Sequence, residues 1–408
     1  MTSNKRWLYL CVGTLLLIFC GLIYGWSLFR TPFSEVYTDW SLSQLSMTFT
    51  ISMVFFCVGG FVAGKLAARF KPQLIILLSA VCLLIGFFGV SRLNPENTSS
   101  SLIMLYIFYG FFGGSGVGLT YNCVIGTMNK WFPDKPGLCS GIMMMGFGLG
   151  ALILGSVATS LIASKGIFTT FMILGIMIFV VLGVGSFFIK VPEAPAGSGQ
   201  AKELYGDPIG TVMKTASFWC FLLWCVLISV GGLMVINSAA SIAVAFGAPA
   251  IVGMVVSVFN GAGRVIVGGI YDKTNGKTAM MVDIIFMFVG GIALLLGAKT
   301  GSMILILVGL LAMGLSYGAN PTICSTLIQK YYGPKYFAVN FGVGMFNLVP
   351  AAIIGPTISS SLVEKSGGAY DSSFVAILIF AVLALIMWVV VSNIIKKENS
   401  RREEPRPF

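Results

Sequence analysis

The chain has 408 residues, of which 57% are apolar and only 10% charged, against about 25% charged in an ordinary soluble domain. So few charges cannot cover the surface of a soluble protein of this size. At about 20 apolar residues per membrane crossing plus a connection, the length accommodates roughly twelve crossings and leaves little for a soluble catalytic domain. The absence of histidine excludes His-based acid–base chemistry, His metal sites and His pH switches. The nine cysteines fall in or beside apolar runs and form no C-x-x-C pair, so zinc and redox motifs find no support and neither a metal nor a cofactor is expected. The net charge of +11 suggests nucleic acid until the charges are located. They lie in short loops and the C-terminal tail, which is a membrane-topology pattern.

Apolar runs bounded by charge, proline or polar clusters predict spans near 7–29, 42–63, 73–92, 102–127, 138–161 and 166–189. A polar linker, 190–214, follows. Six more spans are expected near 215–238, 250–271, 279–298, 301–327, 337–362 and 371–394, then a tail, 396–408. The first run follows Lys5 and Arg6 but is too long for a signal peptide and ends in no small-residue cleavage site, so it reads as a retained helix. The expectation is an all-α membrane protein of twelve transmembrane helices in two six-helix bundles, 1–189 and 215–395.

An even number of spans puts both ends on one side. On that side fall 19 of the 25 Lys and Arg residues; five fall opposite (Arg30, Arg92, Lys165, Lys299 and Lys365), and Arg264 stands apart. A miscounted span would scramble this split. By the positive-inside rule the termini, linker and tail are cytoplasmic, in a multi-pass protein of the plasma (inner) membrane, surrounded by lipid and functional as a monomer. The mixed charges of the tail read as a solvated end.

The halves echo each other, as repeats in transporters do. Gly118-Leu119-Thr120-Tyr121-Asn122 in span 4 matches Gly314-Leu315-Ser316-Tyr317 in span 10, with Asn320 shortly after. Spans 2 and 8 both end in glycines running into basic loops, and spans 5 and 11 are both rich in Gly, Met and Phe. Small-residue spacings such as Gly60/Gly64 and Gly146/Gly150 read first as close helix packing. Gly146-Phe147-Gly148-Leu149-Gly150 is not a dinucleotide fingerprint, because it lies in a membrane span rather than after a strand.

Residues 129–141, NKWFPDKPGLCSG, resemble the loop between spans 4 and 5 of the oxalate:formate antiporter family of the major facilitator superfamily, chiefly through Trp131-Phe132-Pro133-Asp134-Lys135 and Gly137-Leu138. Tyr24-Gly25-Trp26-Ser27 in span 1 is similar to that family and to the related monocarboxylate transporters. So is span 8, with Phe259-Asn260-Gly261, Arg264, Gly268 and Asp272-Lys273. The resemblance implies two six-helix bundles alternating around a central site, with Lys65, Arg69, Asp272 and Lys273 forming the cytoplasmic gating motifs. One departure stands out: Ala68 occupies the position before Arg69 where the superfamily carries an acid, whereas Asp272 keeps the acid in the second half.

Arg264 is the only charge between Lys214 and Asp272, about two-thirds along span 8. A buried Arg is costly unless paired or facing a wet cavity, and it cannot shed its proton. All Asp and Glu residues fall at expected span ends, in loops or in tails, so the cation's complement is a carboxylate from outside, held by the planar guanidinium fork. The resemblance implies the same, since the equivalent Arg in that family contacts substrate carboxylate. The competing reading has Arg264 snorkelling to the interface or pairing with Asp272 or Asp283. Tyr24, Tyr121, Asn122, Tyr317, Asn320 and Asn347 can complete a substrate site with neutral hydrogen bonds, or serve as anchors and packing residues. Trp26, Phe147 and Phe346 line its wall or face lipid.

Members of that family that handle oxalate carry a second cation, a Lys, in span 11. Here 337–362 contains no Lys or Arg, and Asn347-Leu348 sit in that neighbourhood. One cation matches a monoanion, because an uncompensated buried negative charge is costly. In several monocarboxylate transporters an Asp one turn before the Arg takes a coupling proton; here that position is Asn260. The expected activity is therefore transport of a small organic monocarboxylate by anion exchange or facilitated diffusion, ahead of proton symport or a broader organic-acid or drug exporter. A membrane enzyme lacks clustered acids or metal ligands, a channel would show no counterflow, and the loops are too short for a receptor or scaffold domain.

Overall fold

The computed structural model describes residues 2–192, 205–236, 238–248, 252–402 and 404–408; linker positions 193–204 lie outside the described residues. Among the described residues the chain is helical, with no strand. Eleven helices among the described residues are long and apolar enough to cross a membrane: Lys5–Val36, Ser43–Leu66, Pro72–Val90, Thr98–Trp131, Pro136–Lys165, Ile167–Ser186, Ala216–Ile236, Gly276–Thr300, Met303–Tyr332, Phe337–Lys365 and Asp371–Asn399. Val252–Lys273, the helix that carries Arg264, completes the twelve as span 8.

Their outer faces are apolar. Span 12 exposes Val375, Ile379, Val382, Ile386 and Val389, and span 9 exposes Ile285, Val289, Ile292 and Leu296. That spacing of three and four residues marks one helical face, and a stripe of bare aliphatic side chains is what a bilayer covers. Polar side chains are inside: Asn122, Asn320, Thr322 and Ser325 are all buried.

The chain forms two compact units. The first comprises Met1–Pro133, Gly146–Leu204 and Phe337–Phe346; the second comprises Asp134–Met145, Tyr205–Tyr336 and Asn347–Phe408. The sequence suggests two contiguous halves and does not anticipate that spans 5 and 11 each divide between units.

In the first unit, span 2 starts at a reciprocal cap: Gln44 N donates to Ser41 Oγ at 3.2 Å and Ser41 N to Gln44 Oε1 at 2.8 Å, satisfying amides that the helix end leaves orphaned. Span 1 passes through a 3-10 segment, Gly21–Gly25, and span 4 through a π-helical one, Tyr106–Gly113. Between them lies an aromatic core. Trp26 packs 4.6 Å from Tyr109 and 5.8 Å from Phe33, and Phe29 packs 4.7 Å from Phe171 (ring centroids). Trp26 is therefore a buried core residue whose Nε1 donates to Leu45 O at 2.8 Å, not a lipid-facing one.

In the second unit span 9 begins earlier than the sequence suggests. Asn275 caps it, accepting from Thr278 N at 2.8 Å, and the helix ends at Gly301, whose φ of 66° is the left-handed conformation that glycine supplies. The earlier start puts Asp283 two turns inside a span and fully buried. The expectation that every acid lies at a span end, in a loop or in a tail fails there. The expectation of a solvated tail holds only in part. Span 12 stays helical to Asn399, and Arg406 N donates to Asn399 Oδ1 at 3.2 Å while Asn399 Nδ2 donates to Arg406 O at 2.9 Å. Glu398, Arg402 and Arg406 are spent on partners in the protein, whereas Lys396, Lys397, Arg401 and Glu404 stay exposed.

Candidate transport site

Arg264 lies in span 8 and is 2% exposed. Two contacts fix it. Its Nε donates to Asn260 Oδ1 at 3.1 Å, one turn back on the same helix. Its Nη1 donates to the backbone carbonyl of Met144 in span 5. Span 5 comes close enough for this because Gly137 and Gly141 face span 8. A Cβ on Gly141 would collide with the carbonyl of Arg264, and one on Gly137 with that of Gly268. This is backbone-on-backbone packing of the kind small residues permit in membranes.

Neither acid proposed as an internal partner reaches the guanidinium. Asp272 accepts from Gly137 N at 3.1 Å and Leu138 N at 2.7 Å, capping span 5, and pairs with Lys330 Nζ at 3.0 Å. Negative charge at a helix N-terminus is favourable because it meets unpaired amides and the positive end of the dipole. Asp283 accepts from Ser316 Oγ at 2.6 Å. Among the described residues Arg264 has no acidic partner. Both of its acceptors are neutral, so its unit charge is not cancelled. A guanidinium carries five N–H donors. With Nε–H on Asn260 and one Nη1–H on Met144, the remaining Nη1 and Nη2 hydrogens can meet an incoming acceptor.

The other residues named from sequence divide between the units. In the second, Asn320 Nδ2 donates to Cys225 O at 2.9 Å, tying span 10 to span 7. Tyr317 lies against Gly232, where a Cβ would sit 2.7 Å from the tyrosine's own. Asn347 is buried at the end of a 3-10 turn, Met345–Asn347, that interrupts span 11. Lys273 is exposed. In the first unit, Tyr24 and Tyr121 flank Phe147, with ring centroids 5.1 and 4.8 Å away, and Phe56 lies 5.2 Å from Tyr121. Asn122 Nδ2 donates to Gly60 O and, at 2.8 Å, to Ala338 O. Lys65 Nζ lies 5.5 Å from the Phe61 ring, and Arg69 is exposed. Tyr24 and Tyr121 thus form one aromatic cluster, whereas the amide hydrogens of Asn122 and Asn320 are engaged in helix packing.

Sequence reasoning misses Met144 and, although it names Asp283 as a candidate partner of Arg264, misses the placement of that acid inside a span. Met144 acts through its backbone, which leaves no side-chain signal. The placement of Asp283 is hidden by the misplaced start of span 9, although Asn275 just before Gly276 is a readable helix cap.

The family model of the Major Facilitator Superfamily matches residues 15–351. The chain belongs to that superfamily. Its similarity to the oxalate:formate antiporter of Oxalobacter formigenes is 26% identity over 95% of this chain and 92% of that protein. To the uncharacterized MFS-type transporter YhjX of Escherichia coli it is 27% over 84% of each, and to monocarboxylate transporter 10 of Mus musculus 25% over 86% of this chain and 70% of that one. Among solved structures, the proton:xylose symporter XylE matches with a TM-score of 0.70 at 17% identity, covering 94% of this chain and 96% of that one. The fucose:proton symporter FucP matches with 0.68 at 12%, covering 96% and 99%. This superfamily member is a multi-pass membrane transporter with the twelve-helix major facilitator fold, not an enzyme.

Proposed function

We propose that this chain carries small organic monocarboxylates across the plasma membrane by alternating access, through anion exchange or facilitated diffusion, with both termini cytoplasmic. The observation that carries the reading is the state of Arg264: a permanent cation, buried in a span, with only neutral acceptors among the described residues. A carboxylate supplies the missing charge and accepts from the remaining Nη hydrogens. Moving the empty, uncompensated charge through an apolar barrier is costly, which favours exchange of one anion for another. The similarity to an oxalate:formate antiporter and a monocarboxylate transporter supports an anionic substrate. The absence of a basic residue from Phe337–Leu362 supports a monoanion, and the distribution of Lys and Arg supports cytoplasmic ends.

The test is a counterflow panel in proteoliposomes. Vesicles loaded with formate, acetate, lactate or pyruvate are expected to accelerate entry of labelled monocarboxylate, and oxalate to do so at least ~10-fold less, as one unmatched buried charge requires. Oxalate outrunning every monocarboxylate, or no response to any of them, defeats the reading.

Proton symport is the second reading, and Asp283 is the observation that favours it. This fully buried carboxyl has one serine hydroxyl on Oδ1 and no hydrogen-bond partner on Oδ2. Under that reading Asp283→Asn keeps counterflow and loses uptake driven by a pH gradient. Under the exchange reading, acidifying the outside drives little net uptake in the parent protein.

A further inference from the structure

The cytoplasmic side of the second unit holds a group of contacts unconnected with substrate. Asp207, at the described end of the linker, is gripped by the tail. Arg406 Nη2 donates to its Oδ1 at 3.0 Å and Arg406 Nη1 to its Oδ2, while Arg402 Nη2 donates to the same Oδ2 at 3.2 Å. Arg406 Nη1 also donates to Tyr331 O at 3.0 Å, and the Phe408 ring stands 6.5 Å from that of Tyr331. The linker end is bound by its backbone as well: Asp207 N donates to Tyr332 O at 2.8 Å and Lys335 N to Tyr205 O at 3.3 Å. From span 12, Glu398 Oε2 accepts from Ser217 Oγ and Tyr331 Oη, each at 2.7 Å. Linker, tail and the cytoplasmic ends of spans 7, 10 and 12 are thus joined by charge-assisted bonds, which are the strong kind.

These contacts run on to the site. Tyr205 Oη donates to Lys330 O at 2.8 Å, and the ammonium of Lys330 pairs with Asp272 at 3.0 Å. Asp272 caps the first turn of span 5, whose Gly141 rests on Arg264 and whose Met144 carbonyl receives the guanidinium. We infer that the C-terminal tail and the linker end form a cytoplasmic strap that holds the first turns of span 5 against span 8, and so acts as a positioning element for Arg264. Its middle link is Lys330, whose backbone carries the strap and whose side chain carries the cap. The inference is independent of which solute is carried, because it concerns the placement of span 5.

Cys139, one residue past the capped amides and buried, supplies the readout. In the full-length chain with every other cysteine replaced, reconstituted in liposomes without solute, maleimide labelling of Cys139 measures how often span 5 leaves span 8. Asp207→Ala and Arg406→Ala are expected to raise the labelling rate roughly tenfold, the loss of one charge-assisted pair expressed as a population. The charge-exchanged double variant Asp207→Arg/Arg406→Asp returns it toward the parent rate. A strap that merely stabilises would lower the melting temperature of each single variant and leave Cys139 labelling at the parent rate; that result overturns the inference. Where an alanine variant does not fold, Arg406→Lys keeps the charge, loses the fork, and is read the same way.

Discussion

The seam of spans 5 and 8 in the second unit can be set beside the seam of spans 2 and 11 in the first. Both are built alike. Gly137 and Gly141 lie against Gly268 and Arg264; Ala338 and Gly342 lie against Gly64 and Gly60. The chemistry laid over the two frames differs. Where the second has Arg264, the first has Gly60, with the Met345 thioether filling the space: a Cβ on Gly60 would sit 2.8 Å from Met345 Sδ. Where the Met144 carbonyl receives a guanidinium, the Met345 carbonyl receives the Cys57 thiol at 3.3 Å. Where Asp272, four residues after Gly268, caps span 5, the first seam carries Ala68 four residues after Gly64. The repeat thus reproduces backbone packing and places charge in one copy only. Packing and charge are separable layers, and under the proposed function the solute-binding layer is grafted on one of two similar scaffolds.

The sharpest way to break this comparison is to remove the charge. Arg264→Gln keeps a hydrogen-bonding side chain and is expected to cut monocarboxylate counterflow about 100-fold, since losing a buried charge pair costs roughly 2–5 kcal/mol; normal counterflow in the variant would place solute recognition elsewhere. Next come the shared frames. Gly141→Val and Gly64→Val should each lose about 1–3 kcal/mol by overpacking, seen as reduced folded yield in detergent. Equal damage upholds the equivalence of the seams, and tolerance at one of them ends it. The caps are expected to matter less. Asp272→Asn should lower stability by ~1 kcal/mol, and Ala68→Asp should raise it by up to ~1 kcal/mol if the first seam can use a carboxylate in the same place; melting in detergent reports both.

The smallest effect concerns the strap. Burial pushes the Tyr205 phenol above its ordinary value of 10.0, with the Arg406 guanidinium opposing the shift. The folded state therefore favours the protonated phenol. That stability is present below about pH 10 and is lost as pH rises through the folded-state value. Tyr205→Phe should flatten this alkaline loss, and an unchanged pH profile would assign it to another group.

The fold was legible because a bilayer imposes run length and sidedness directly on composition. The burial of Arg264 within span 8 was legible because one charge in a long apolar stretch has few physical explanations. Asn122 and Asn320 were not: an amide in a span reads the same whether it points at a cavity or at the carbonyl of a neighbouring helix, and here both amides point at carbonyls. The bonded part of the tail was missed for a related reason. Mixed charges look hydrated in sequence, and only the folded chain brings Arg402 and Arg406 to an acid some two hundred positions earlier.

Spans 5 and 11 each give one stretch to either compact unit. A gene cut within the linker would therefore encode two fragments, neither holding a whole unit: the first lacks the ten residues 337–346, and the second lacks the twelve residues 134–145. Translation order carries the same consequence. The earlier unit must wait, incomplete, until the eleventh helix has left the ribosome.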